Sequence, residues 1–183
     1  MIAQLSRPVG FGDHTQGPPD ALVTLVEYGD YECPHCGRAY PIVKAVQQQM
    51  GDRLRFVYRH FPLTQLHPHA EHAAEAAEAA GYQGKFWPMH DTLFEHQPAL
   101  DDQDLISYAA RLGIDRRWAA QALIAQTFAP KVRQDFTSGV RSGVNGTPTF
   151  FINGVRDDSG TWVNPALFLQ ILERAAEATT AEL

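Results

Sequence analysis

The sequence predicts an α/β fold in which a β-α-β unit and a later α-β-β-α unit are separated by a block of helices. Three observations predict it. Two short apolar, β-branched runs, residues 21–28 and 53–59, flank one helical pattern. Alanine- and glutamate-rich helical patterns then dominate the middle of the chain. A last apolar run, residues 149–152, leads into Asn153-Gly154, a hairpin-turn signal, and a final helix. A chain of 183 residues with 44% hydrophobic residues is long enough to bury a sizeable core.

The elements follow in order. Residues 1–20, with Gly10, Gly12, Gly17, Pro18 and Pro19, form a lead-in with room for one short edge strand. Residues 21–28 read as a buried strand bounded by Asp20 and Gly29. Pro34 suits the first position of a helix over 34–50, because its missing N–H costs nothing there. Ala39, Val43, Val46 and Met50 share one face of that helix, and Pro41 inside it predicts a kink. Residues 53–59 form the second strand, and a β-α-β order favours parallel strands with a right-handed crossover. Helices are expected over 69–80, 86–96, 102–112, 116–127 and 130–143, with Asp101 or Asp102 capping the third. A strand over 149–152, a partner strand within 155–163 and a helix from 165 to 179 complete the chain. Residues 62–129 are read as a helical domain inserted into a domain made of 1–61 and 130–183.

Composition excludes several function classes. The formal net charge of −6 argues against nucleic acid or an anionic membrane as a partner. No apolar run approaches the roughly 18 residues of a membrane helix. Residues 1–17 lack the apolar core of a secretory signal. The expectation is a cytosolic monomer, or a periplasmic one if a leader has been removed.

The chemistry concentrates in four places. The only two cysteines form Cys33-Pro34-His35-Cys36, after a strand and at a helix start. Unpaired N–H groups and the helix dipole favour a thiolate there, and a thiolate attacks disulfides. Zinc would need four ligands and no second cysteine pair exists; a static disulfide across so short a loop would add little stability. Cys33 is read as the exposed nucleophile and Cys36 as the buried resolving thiol. His35 lies between them, where an imidazole favours the Cys33 thiolate. Glu27 sits in an apolar strand, where a carboxylate needs a partner or a task. It would relay a proton to or from Cys36, or else pair with Lys44 or Arg59. Thr147-Pro148 stands at the start of the last apolar strand, where a cis peptide bond is one option.

With these residues in place the chain resembles the thioredoxin superfamily, in its DsbA-like branch with an inserted helical domain. Cys-Pro-His-Cys, Glu27 six residues before Cys33, Pro41 eight after it and the late Thr147-Pro148 carry the resemblance, which covers about residues 21–178. It implies a thioredoxin-like α/β fold and a thiol–disulfide oxidoreductase without a cofactor. It implies catalysis by Cys33, Cys36, His35 and Glu27, and a cis Pro148 that faces the dithiol and, with Thr147, holds the substrate backbone. The implied partners are protein or small-molecule thiols and disulfides and a redox recycling protein. Thr147 leans toward the isomerase branch, and a reducing cytosol favours the reductase or isomerase direction. The alternative is a metal-binding or chaperone-like protein using Cys33, Cys36 and nearby histidines as ligands. His67, His69 and His72 are read as solvated histidines near a helix start, residues 71–78 as a solvated helix face, and Phe86, Trp87 and Met89 as core.

Overall fold

A computed structural model describes residues 3–181. Contacts divide the chain into two compact units. A sheet unit holds the chain through Tyr28, Arg38–Arg59 and the chain from Ser138 onward; a helical unit holds Gly29–Gly37 and His60–Thr137.

The sheet unit is built on five strands in the spatial order β1-β3-β2-β4-β5. They are β1 (His14–Gln16), β2 (Val23–Gly29), β3 (Leu54–His60), β4 (Thr149–Ile152) and β5 (Val155–Arg156). The short strand allowed for in the lead-in is β1, which pairs antiparallel with β3, Thr15 opposite Val57. β2 is central and buried along its length except at Thr24, which explains its nearly unbroken apolar run. β4 lies antiparallel to β2, with Glu27 opposite Phe150. The β4–β5 turn has positive φ at both Asn153 and Gly154 (49° and 83°), as an Asn-Gly hairpin requires. Asn153 Oδ1 also accepts from the Thr24 amide at 2.8 Å, tying the turn to β2. The partner strand is only two residues long, and a 3₁₀ turn at Thr161–Val163 follows it.

Helix α1 (Pro34–Met50) continues through Pro41, and Ala39, Val43, Val46 and Met50 are buried as their spacing requires. Arg59 on β3 is fully buried. Its guanidinium donates to both Asp13 carboxylate oxygens (2.8 and 3.0 Å), to Tyr28 Oη and to the carbonyls of Arg7 and Pro8. The lead-in is therefore fastened to the sheet by this buried charge pair as well as by the β1–β3 pairing.

The helical unit contains α2 (Ala70–Tyr82), α3 (Phe86–Glu95), α4 (Asp102–Arg111) and α5 (Arg116–Ile124), and α6 (Ala129–Arg141) begins in it. Asp101 caps α4 through the Asp104 amide, and Asp115 caps α5 through the Trp118 amide. Phe86 and Met89 are buried core as expected, whereas Trp87 is only half-buried. The expected solvated face at 71–78 is not found: residues 73–80 are all buried, Glu75 and Glu78 included. The reason is packing. α2 is contacted by α3, α4 and α5, and its alanines let these helices approach from several sides.

Candidate active site

The site is built where β2 runs out. Gly29 is the last strand residue, 30–33 make a turn, and Pro34 opens α1. The Cys33 amide donates to the Asp30 carbonyl at 3.2 Å, and the Cys33 carbonyl accepts the Gly37 amide at 3.0 Å. Cys33 thus stands at the cap of α1, where unpaired amides and the helix dipole favour an anionic sulfur. Cys36 lies one turn on, and the Asp30 amide points at its Sγ at 3.5 Å. The two cysteines are not joined in a disulfide.

Their exposure corrects the sequence reading. Cys36 is buried as expected, but Cys33 is only 3% exposed, and Pro34 and His35 are the exposed residues of the motif. Within the helical unit, side chains distant in sequence hold this turn. Gln97 Nε2 donates to the carbonyls of Tyr31 (2.7 Å) and Cys33 (2.9 Å). The Tyr31 hydroxyl bonds His90 Nδ1 at 3.1 Å, and the Tyr31 ring packs on Phe94. A Cβ at Gly37 would lie 2.0 Å from Gln97 Oε1, so glycine makes room for this glutamine.

Asp30 is a site residue that sequence reasoning missed. It is buried, and its carboxylate accepts from the amides of Glu32 (2.8 Å) and Leu63 (2.9 Å) and pairs with His67 Nδ1 at 2.7 Å. The expectation of solvated histidines holds for His69, which is exposed, and is corrected at His67, which is half-buried and paired with Asp30; His72 is partly exposed and pairs with Asp102 at 2.6 Å. Asp30 sits between a strand and a cysteine, where it reads as an ordinary turn residue.

In the sheet unit, Glu27 is buried on β2. The Arg59 guanidinium, one of the partners considered for it, is engaged by Asp13, Tyr28 and the lead-in carbonyls. The Thr147-Pro148 peptide is cis, at the entry to β4. Among the described residues, the group able to hold a metal ion is His60, Glu78 and Asp135, all buried and all in the helical unit. Neither cysteine belongs to it. Lys131 Nζ lies 2.6 Å from Asp135 and 3.8 Å from Glu78, so an ammonium already supplies positive charge there.

A family model described as thioredoxin matches residues 11–164. The chain belongs to the thioredoxin family. Among solved structures, BdbD from Bacillus subtilis in its oxidised form superposes with a TM-score of 0.84 at 25% identity, covering 97% of this chain and 100% of that one. A thioredoxin-like oxidoreductase from Silicibacter pomeroyi gives 0.78 at 27% identity over 91% and 93% of the two chains. Alpha-DsbA1 from Wolbachia pipientis shares the fold, with a TM-score of 0.82 at 19% identity over 97% of each chain. The fold is thus thioredoxin-like with a DsbA-type helical insertion. A curated relative from Salinispora arenicola, a Na(+)/H(+) antiporter NhaA 1, is 49% identical over 144 residues, 79% of this chain and 22% of that protein. The chain spans about a quarter of the length of such relatives.

Proposed function

We propose that this thioredoxin-family chain is a thiol–disulfide oxidoreductase that exchanges disulfides with protein substrates through Cys33 and Cys36. The observation that supports it most directly is the placement of Cys33 at the cap of α1, with Cys36 one turn away beneath the Asp30 amide. The Cys33 thiolate attacks a substrate disulfide, forming a mixed disulfide and expelling one substrate thiolate. Cys36 then attacks Cys33 Sγ, the second substrate sulfur leaves with the electron pair, and the dithiol becomes a disulfide. A recycling thiol partner reverses that oxidation.

The reading gives His35 the task of favouring the Cys33 thiolate, Glu27 that of proton exchange for Cys36, and Thr147-Pro148 that of holding substrate backbone. It calls for no cofactor. In a reducing compartment the dithiol rests reduced, so the reading favours the reductase or isomerase direction. No described helix is long and apolar enough to cross a membrane.

An insulin-reduction assay with a thiol reductant tests the proposal. Turnover should survive a metal chelator and disappear in Cys33→Ser. No turnover in the unmodified protein, or turnover that chelation abolishes, overturns it in favour of the metal-binding alternative. A redox titration then sets direction: a potential more oxidising than thioredoxin's supports a resting dithiol in a reducing cytosol.

A further inference from the structure

We infer that Asp30 and His67 form a positioning pair that holds the resolving thiol, Cys36, ready for its attack on the mixed disulfide. The inference rests on the oxidoreductase reading above and deepens it. Asp30 is the residue whose backbone meets both cysteines: its carbonyl accepts from the Cys33 amide, and its amide points at Cys36 Sγ. The orientation of that amide is set by the side chain of the same residue. Oδ1 accepts from the Glu32 amide, an ordinary local turn closure. Oδ2 does something less ordinary. It accepts from the Leu63 amide and meets His67 Nδ1, groups 33 and 37 residues away on the segment after β3.

The Asp30 side chain is fully buried, whereas that of His67 is 17% exposed. A buried carboxylate is costly unless hydrogen bonds and a counter-charge compensate it. His67 is the titratable base that reaches it, from the more open side of the segment. Removing the imidazole takes an anchor from the Asp30 carboxylate, so the Asp30 amide is held less firmly toward Cys36. That slows the second step, in which the Cys36 thiolate attacks Cys33 Sγ and the substrate sulfur leaves with the bonding pair. The first step, in which Cys33 is the nucleophile, does not use the Cys36 sulfur.

Ellman's reagent separates the two steps on the full chain. Attack by Cys33 releases one coloured thiolate, and resolution by Cys36 releases a second. In His67→Ala the second release should slow roughly fivefold while the first changes by less than about twofold, the loss of one hydrogen bond that anchors Asp30 beneath Cys36. His67→Asn, which keeps a donor near the position of Nδ1, should recover most of the second rate. Asp30→Asn keeps the local acceptor, loses the one facing His67, and should slow the second release whether or not His67→Ala folds. An unchanged second release in both His67→Ala and Asp30→Asn overturns the pairing role. Equal slowing of both releases, without rescue by asparagine, also overturns it in favour of general loosening. Absence of any second release from the unmodified protein defeats the oxidoreductase reading itself, a distinguishable outcome.

Discussion

The two units treat buried charge differently. In the sheet unit, Arg59 and Asp13 face each other with both carboxylate oxygens engaged, and Arg7 adds a second cation at 3.0 Å. Burial alone would push the Asp13 carboxyl up, but the Arg59 and Gly10 hydrogen bonds and the charges of Arg59 and Arg7 hold it below its ordinary value. In the helical unit, Asp30, Glu75, Glu78 and Asp135 are buried near His67, His60 and Lys131. Burial wins at Glu75 and raises its pKa, against the pull of His72 and the amides of Ala129 and Phe128. A tightly matched pair fastens chain to chain. A unit with an under-compensated acid responds to protonation, and it is this unit that holds the dithiol segment.

The sharpest way to break the comparison is Arg59→Met. It leaves Asp13 buried with only the more exposed Arg7 as counter-charge, and should cost about 3–5 kcal/mol in urea unfolding, the usual penalty for orphaning half of a buried pair. The same change should leave the rate of the first Ellman release in the folded protein unaltered. A loss below about 1 kcal/mol would mean the pair is no better matched than a surface salt bridge.

Next in size is Gly37→Ala. The added methyl must displace Gln97, freeing the carbonyls of Tyr31 and Cys33. A cost of about 1–3 kcal/mol is expected for such overpacking, together with faster alkylation of Cys33 as the turn loosens. Adding Gln97→Ala should relieve part of the stability loss, because the two changes share one contact. Simple additivity would show that Gln97 does not depend on this glycine.

Local signals were legible in the sequence. Pro34 as the first residue of α1, the face of Ala39, Val43, Val46 and Met50, the β4 strand and the Asn153-Gly154 turn depend on neighbours within a few residues. The dithiol was visible for the same reason: the backbone that surrounds it is its own. Long-range pairs were not. Arg59 was weighed as a partner for Glu27, yet its partner Asp13 is 46 residues away in a glycine- and proline-rich lead-in that shows no periodicity. Asp30 and His67 are 37 residues apart, and Gln97 reaches Cys33 across 64. Glu75 and Glu78 look solvated by composition; only the approach of α3, α4 and α5 around α2 buries them. Cys33 reads as the exposed nucleophile in the sequence, and the Gln97 side chain that holds its carbonyl comes from a distant segment.

A smaller effect compares the two capped helices. Asp101→Ala and Asp115→Ala each remove a side-chain cap and should each cost about 1 kcal/mol. Both caps are exposed and local, so the costs should be similar and additive in urea unfolding.

The smallest expected effect tests the sign of the charge comparison. Glu75 has a folded-state pKa above its ordinary value of 4.5, so the folded protein binds this proton more tightly than the unfolded chain does. Its contribution is fully present below 4.5 and is lost as pH rises through the folded value. Glu75→Gln mimics the protonated side chain at every pH. It should therefore match the parent in acid and become the more stable protein toward neutrality. Asp13 has the opposite sign. Its folded pKa lies below the ordinary 3.8, so its contribution is present above 3.8 and lost as pH falls through the folded value. Asp13→Asn should accordingly be most damaging at neutral pH, with the deficit shrinking in acid. Urea midpoints for the parent and both variants across the acid range read the two slopes directly. If the Glu75→Gln difference grows toward acid, the helical unit compensates its buried acids as well as the sheet unit does, and the contrast between the units disappears.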